Sequence, residues 1–466
     1  LVGAGPGDPG LLTVRALELL RAADVVAYDA LVSPAILSLV GSEAELLPVG
    51  RRHGAGEIGY RLHPEVLARV KAGRTVVRLK AGDPLIFGRG GEEAEELAEA
   101  NIPCTIVPGI SSALGAAAYA GIPLTHRLHS SDVTFLSGHD ADGSRSLTDW
   151  STAAGGKGTL VLFMAARKLS ANLQRLIQAG RSPETPAAYI ASATTPDQQV
   201  IIGTLATLPE NIRNVDLAIP ALVIVGDVVG LRKRMAWFER RPLAGRRLLV
   251  ARARPGRSAM ADELRALGAE VLEIPEVEAV SLNGESPIDE VLTRLHEFRG
   301  IVFSCAAGVD AVLSHAPILD LPVIAVGAAA TQALTRHGIA STVSLRGACR
   351  EALHEQSGLF QKGPFLLVTA EDGRSNLRNE LAKIGAEVEA VVAYRAIHRM
   401  PILSLPPIDL VVLPSSSAAR IVLSGNFGKT LSGVPMASSM SSARLGAPPC
   451  SGPERAPMPP TTASFA

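Results

Sequence analysis

The segment Ala81-Gly82-Asp83-Pro84-Leu85-Ile86-Phe87-Gly88-Arg89-Gly90-Gly91-Glu92-Glu93 follows a run from Thr75 to Leu79 that reads as a buried strand. A strand that runs out into glycines, a carboxylate and a proline predicts a tight turn at the strand end. Backbone amides and carbonyls can approach a ligand there with no side chain in between. A second turn of this kind, Val2-Gly3-Ala4-Gly5-Pro6-Gly7-Asp8, opens the chain. The third glycine of the dinucleotide fingerprint would fall at position 8, which is Asp8, so a Rossmann cofactor site is not expected. Either loop alone reads as well as plain turn geometry; the pair points to a ligand cleft.

Strand-like runs at Thr159 to Met164, Ala221 to Val225, Leu248 to Ala251, Gly300 to Phe303 and Phe365 to Thr369 alternate with stretches rich in Ala, Leu, Glu and Arg, which predicts α/β architecture. With 466 residues, 47% of them apolar, the chain can bury more than one core. A charged segment from Arg232 to Arg241, containing Trp237 and Phe238, separates a strand ending near Asp227 from one starting at Arg247 and is read as a linker. The expected division is residues 1–235, a linker at 236–242, a second unit at 243–435 and a tail from 436 to 466. In that tail Ser, Pro, Ala and Gly replace apolar periodicity, so it is read as disordered or as a foreign terminus.

Lys plus Arg balances Asp plus Glu at 45 each, so no overall field favours nucleic acid or an anionic membrane, and an anionic substrate would have to be held by local arginines. Aromatic content of 4% argues against base-stacking platforms. Cys104, Cys305, Cys349 and Cys450 are scattered without metal-ligand or redox spacing, so no metal is expected and a reduced cytoplasm fits best. No apolar run reaches the roughly 20 residues of a membrane span, and no signal peptide is visible. Leu1 falls in a strand already begun, so the native N-terminus is expected to be trimmed.

The two glycine-rich turns, Val107-Pro108-Gly109-Ile110-Ser111-Ser112, and the stretch from Ala118 to Arg127 together resemble the uroporphyrinogen-III C-methyltransferases, over about residues 1 to 235. The resemblance implies a cleft between two α/β subdomains that holds S-adenosyl-L-methionine, with S-adenosyl-L-homocysteine as product. It also implies two methyl transfers to uroporphyrinogen III, giving precorrin-2, on the route to sirohaem and cobalamin, by a homodimer. Carried over by motif, Pro6, Ala81, Gly82, Asp83, Ile86, Ser111, Ser112, Met164 and Ala193 line the cofactor site. Such a ligand needs polar contacts for its amino-acid end and apolar walls for adenine. Asp29, in Ala27-Tyr28-Asp29-Ala30, matches the family's proposed general base; in such a turn an Asp is otherwise a capping residue. Where the family usually has lysine after Val-Gly, this chain has Arg51. A guanidinium stays charged, so Arg51 is expected to bind a substrate carboxylate rather than donate a proton. Arg127 is a second candidate for the substrate's eight carboxylates, with Arg52 and Arg89 behind it.

Residues from Arg241 resemble uroporphyrinogen-III synthase through short motifs in order: Arg241-Pro242-Leu243-Ala244-Gly245, Gly268-Ala269-Glu270-Val271, Val302-Phe303-Ser304, Ala325-Val326-Gly327, and Gly385-Ala386-Glu387-Val388 leading to Tyr394. The implied fold is two α/β domains joined by a two-stranded connection, with hydroxymethylbilane bound between them and closed to a ring by inversion of the last pyrrole. Tyr394 is the candidate to assist departure of the hydroxyl; its plainer role is that of a buried strand residue with a satisfied hydroxyl. Arg252 and Ser304 are candidate substrate ligands, with Thr369, Ser415 and Ser416 weaker. Cys305, Ala307 and Ala330 depart from the family pattern, and the family's last strand, expected after Asp409 to Ser417, is read as absent. The alternative is a methyltransferase whose C-terminal half only binds tetrapyrrole or stabilises the dimer.

Overall fold

The computed structural model describes residues 1–41, 43–50, 62–138, 148–253, 258–281, 288–313, 321–345, 350–360, 363–371, 376–399, 405–423 and 425–438. Four parallel strands begin the fold, in the spatial order Val2–Gly3, Val76–Lys80, Val25–Tyr28, Glu45–Pro48. Val25, Val26 and Ala27 are buried in succession, as expected for an interior parallel strand covered on both faces. Helices Val14–Ala22, Pro64–Lys71 and Gly90–Glu99 belong to this unit. Thr13 caps the first of them, its hydroxyl accepting from the Ala16 amide at 3.2 Å. Leu20, Val26, Ile36 and Leu79 are fully buried in the core between sheet and helices.

A five-stranded mixed sheet follows, in the order Val133–Ser137, Thr159–Phe163, Ala221–Val225, Pro186–Ala191, Gln199–Thr204. Only its first pair is parallel. Helix Ser112–Ala120 packs Ala113, Ala116, Ala117 and Ala120 against Val161, Ile190 and Ile224. The small side chains let it sit close. At Gly115 an added Cβ would lie 2.5 Å from the Pro6 ring, so the opening glycine-rich turn rests directly on this helix.

The charged segment expected to link two units is docked rather than extended. Helix Arg232–Met235 and the short turn Phe238–Arg240 carry it back over the helix Ser112–Ala120. There the Trp237 indole N–H donates to the Ala118 carbonyl at 2.8 Å, and the Tyr119 ring lies 5.3 Å from Trp237 and 4.8 Å from Phe238. The Arg241 guanidinium covers Phe238 at 4.4 Å. Phe238 is buried while Trp237 stays 45% exposed, and Arg232 is itself drawn in to the Ala120 carbonyl, so the stretch mixes solvated and docked residues.

The second half builds two further sheets. Four parallel strands run Glu270–Ile274, Arg247–Ala251, Leu410–Leu413, Met436–Ser438, and six run Glu276–Ser281, Val388–Arg399, Phe365–Ala370, Gly300–Phe303, Val323–Val326, Val343–Leu345. The chain passes between them along the antiparallel pair Glu276–Ser281 and Val388–Arg399, the two-stranded connection anticipated from sequence. Met436–Ser438 corrects the expected tail. It pairs parallel with Val411–Leu413 and so supplies a strand where none was expected. Main-chain pairing at a sheet edge secures it, which a three-residue Met-Ala-Ser stretch does not announce by hydrophobic pattern. Residues 439–466 lie outside the described residues.

Candidate active site

The two glycine-rich turns meet at the ends of their strands. The Gly5 amide donates to the Gly82 carbonyl at 3.1 Å, and the Gly82 amide to the Gly5 carbonyl at 2.8 Å. Gly82 has φ of 69°, open to glycine without strain. Gly109 closes the triangle: a Cβ there would lie 2.3 Å from the Gly82 carbonyl oxygen and 2.8 Å from the Gly3 Cα. Asp83 stitches the same loops together, one carboxylate oxygen accepting from the Gly109 amide at 3.1 Å and the other from the Leu85 amide at 2.9 Å. Ser111 caps the helix Ser112–Ala120, and the Ser112 hydroxyl oxygen lies 3.1 Å from where a Cβ on Gly82 would sit.

From the second subdomain, Ala193 follows the strand Pro186–Ala191 between Ser192 (φ 46°) and Thr194 (φ 68°). The Thr194 hydroxyl accepts from the Asp8 amide at 3.1 Å, and the Ala193 carbonyl lies 3.6 Å from a Cβ built on Gly7. Met164 follows the strand Thr159–Phe163 with φ of 54°, its side chain 47% exposed. Phe87 packs on Phe163 with ring centroids 4.9 Å apart, which brings the loop carrying Ile86 to the strand end carrying Met164. Pro6, Ala81, Gly82, Asp83, Ser111, Ser112 and Ala193 thus share one set of contacting loops, with Ile86 and Met164 beside them.

Six non-glycine residues have positive φ among the described residues, and five of them, Phe87, Arg89, Met164, Ser192 and Thr194, lie on these loops. Backbone strain gathered in this way is a mark of a functional site. Closely packed polar loop backbone, beside the exposed apolar side chains of Leu85, Ile86, Phe87 and Met164, fits a ligand with one polar end and one apolar end.

Asp29 sits just beyond the strand Val25–Tyr28, its amide donating to the Leu79 carbonyl at 3.1 Å. Its side chain is a quarter exposed and accepts from the Arg78 guanidinium. Lys80, two residues beyond Arg78 on the strand Val76–Lys80, is 2% exposed and donates to Glu93 at 2.7 Å. Arg78 reaches the same Glu93 oxygen at 3.1 Å. Burial, and then the neighbouring Arg78, pull the Lys80 ammonium below its ordinary range. Arg78, Lys80 and Glu93 are not among the site residues expected from sequence. Two cations at alternate positions of a buried strand are a usable signal, since charges in such a strand require buried partners.

Arg51 and Arg52 lie outside the described residues. The chain enters that stretch at Gly50, where a Cβ would lie 2.6 Å from the Asp29 Cα. Arg127 is exposed in a turn closed by the pairing of His126 with Ser130. In the second half, Ser304 follows the strand Gly300–Phe303, and Arg252 is ion-paired with Glu273, its guanidinium pulled down by burial and then by Arg265. Tyr394 is 5% exposed and lies inside the strand Val388–Arg399, at a register shift opposite Thr369 and Ala370. Its hydroxyl oxygen is 3.1 Å from the Cys305 sulfur. The Thr369 hydroxyl donates to the Val391 carbonyl and Ser415 caps the following helix, so both are engaged by backbone. The Ser416 side chain lies outside what is described.

Residues 1–209 match the profile of the Tetrapyrrole (Corrin/Porphyrin) Methylases, and residues 258–438 match that of Uroporphyrinogen-III synthase HemD. Over 240 residues the chain is 52% identical to a siroheme synthase of Pseudomonas fluorescens (strain Pf0-1), a match spanning 51% of this chain and 52% of that protein. It is 51% identical over 245 residues to the siroheme synthase of Azotobacter vinelandii, spanning 52% of this chain and 53% of the relative. The chain therefore spans about half the length of the curated relatives it matches. Among solved structures, a uroporphyrin-III C-methyl transferase from Thermus thermophilus, complexed with S-adenyl homocysteine, is 36% identical, covers 49% of this chain and 97% of its own, and gives a TM-score of 0.43. The chain joins a member of the tetrapyrrole methylase family, in its first half, to a member of the uroporphyrinogen-III synthase family, in its second.

Proposed function

We propose that the first half methylates uroporphyrinogen III twice to precorrin-2, using S-adenosyl-L-methionine, and that the second half cyclises hydroxymethylbilane to the same uroporphyrinogen III. The observation that carries the first reading is the meeting of the two glycine-rich turns, Ser111–Ser112 and Ala193 in one set of loops, with the Asp29 carboxylate at a neighbouring strand end of the same sheet. When bound, the cofactor supplies an electrophilic methyl group. Gly82, Gly109 and Gly3 let the loops around its polar end pack backbone to backbone, Asp83 holds the loop in shape, and Ile86 and Met164 offer apolar walls. Asp29 accepts the proton that the methylated, cationic ring system must lose. Arg51 and Arg127 bind substrate carboxylates. The methylase half pairs with a second copy of itself, a state that light scattering on the purified chain would report as twice the monomer mass.

Anaerobic incubation with S-adenosyl-L-methionine and uroporphyrinogen III tests this directly. Two methyl groups per ring are expected; cofactor binding with no transfer would sink the assignment of substrate. For the second half, the expected product from hydroxymethylbilane is the inverted-ring isomer. Formation of only the uninverted ring, at the spontaneous rate, would leave that half a binding module.

A further inference from the structure

The glycine-rich loop that follows Lys80 is closed by charge at both ends. Lys80 is the last residue of the strand Val76–Lys80, Glu93 stands in the first turn of the helix Gly90–Glu99, and the two meet at 2.7 Å across the base of the loop. Arg78, on the same strand face, links Glu93 to Asp29, and the Lys80 nitrogen lies 4.0 Å from the second Asp29 oxygen. All but Asp29 are buried, and the second Glu93 carboxylate oxygen is buried without a hydrogen-bond partner. A buried network of this kind stabilises little for its desolvation cost. Asp29 is its one member open to a ligand, and Arg78 holds it.

We propose that Arg78, Lys80 and Glu93 are positioning residues for Asp29: the two cations hold its carboxylate in one orientation, and Glu93 balances their charge beside it. This rests on the reading of Asp29 as the proton acceptor. With two cations and two anions the cluster is neutral at rest, and it carries one positive charge once Asp29 has taken the ring proton. Removing Glu93 makes that protonated state costlier and removing Lys80 makes it cheaper. The two deletions therefore push Asp29 in opposite directions. Among the described residues, Arg78, Lys80 and Glu93 are the charged groups that face it, and the Leu1 amine lies within electrostatic reach of Glu93 and Arg78.

The test is the pH dependence of kcat/KM for methyl transfer by the full chain and its Lys80→Met, Glu93→Gln and Asp29→Asn variants, with S-adenosyl-homocysteine affinity measured on each. Lys80→Met is expected to move the acid limb up by about 1 unit and Glu93→Gln to move it down by about 1 unit, with S-adenosyl-homocysteine affinity held within about twofold. A structural role alone would lower the rate in both without moving the limb, or move both the same way, and either result overturns the proposal. If Lys80→Met no longer binds S-adenosyl-homocysteine, Glu93→Gln decides alone, and an unmoved or raised acid limb refutes it. An Asp29→Asn chain that methylates at the wild-type rate overturns the base assignment together with this inference. An inactive Asp29→Asn beside unshifted charge variants overturns the inference only.

Discussion

The Tyr119 hydroxyl donates to the Asp8 carboxylate at 2.6 Å, joining the helix that carries the docked aromatic segment to the turn that carries Pro6. Asp8 is engaged on three sides, since its other oxygen accepts from the Gly10 amide at 2.7 Å and its own amide donates to Thr194. Tyr119 is in turn packed by Trp237 and Phe238. Order in the opening loop is thereby tied to order in the segment between the two halves.

Tyr119→Phe removes that donor and leaves the ring. A loss of about 1.5 kcal/mol in unfolding free energy is expected, the ordinary worth of a hydrogen bond to a charged group. Weaker S-adenosyl-homocysteine binding should accompany it. Urea denaturation with and without S-adenosyl-homocysteine checks both, and a variant equal to wild type in each would show that Asp8 is held well enough by Gly10 and Thr194.

The same pair sets a pH dependence. Burial, and then the hydrogen bond to Asp8, push the Tyr119 hydroxyl above its ordinary range. Its raised folded value favours the protonated form, so the contribution is fully present below the unfolded tyrosine value of about 10 and is lost as pH rises beyond it. The stability gap between wild type and Tyr119→Phe should stay level from about pH 7 to about pH 9 and narrow above about pH 10. A gap that widens on the alkaline side would contradict the assignment.

Gly109→Ala is expected to abolish cofactor binding before it unfolds the chain. The new methyl meets the Gly82 carbonyl at 2.3 Å and the Gly3 Cα at 2.8 Å, all backbone, so no flexible side chain can give way. Overpacking of this kind costs about 1–3 kcal/mol, borne by the loops that hold the ligand. Calorimetric titration with S-adenosyl-homocysteine, beside a thermal melt, separates the two effects.

Strand positions were legible where apolar runs are unbroken: Ala221–Val225 and Gly300–Phe303 form strands with the bounds read from sequence. The glycine-rich loops were legible as turns at strand ends, although either one alone reads as well as plain turn geometry. What the sequence hid was charge. The run from Thr75 to Leu79 reads as apolar only if Arg78 is overlooked, and its pairing with Asp29 and Glu93 spans 49 and 15 positions, beyond any local pattern. Nor do Met164 and Thr194 declare their positive φ, since tertiary contacts impose it. Trp237 and Phe238 look like part of a charged linker until the helix Ser112–Ala120 supplies the surface they cover.

Arg51 separates two roles by chemistry. Bound to a substrate carboxylate, it should be replaceable by lysine at a cost in affinity, because lysine loses the bidentate grip. Arg51→Lys is therefore expected to raise KM for uroporphyrinogen III by about tenfold, the worth of roughly 1.4 kcal/mol, and to leave kcat within a factor of about two. A lysine that raised kcat well above wild type would mean that a proton donor is wanted at this position.

Tyr394 and Cys305 offer the sharpest test of the second half. Their hydroxyl and sulfur lie 3.1 Å apart, and the Gly308 amide donates to the same sulfur at 3.4 Å, so the thiol sits in the position of a hydroxyl that would orient the tyrosine. If Tyr394 delivers the proton that lets the hydroxyl of hydroxymethylbilane leave as water, Tyr394→Phe should slow formation of the inverted-ring isomer by about a hundredfold, the usual worth of a general acid. Cys305→Ser restores a stronger hydrogen-bonding group and should hold or raise the rate, whereas Cys305→Ala should lower it. A Tyr394→Phe chain that forms the isomer at the wild-type rate would make Tyr394 a core residue of its strand. Its burial at 5% exposure would then be explained by packing alone.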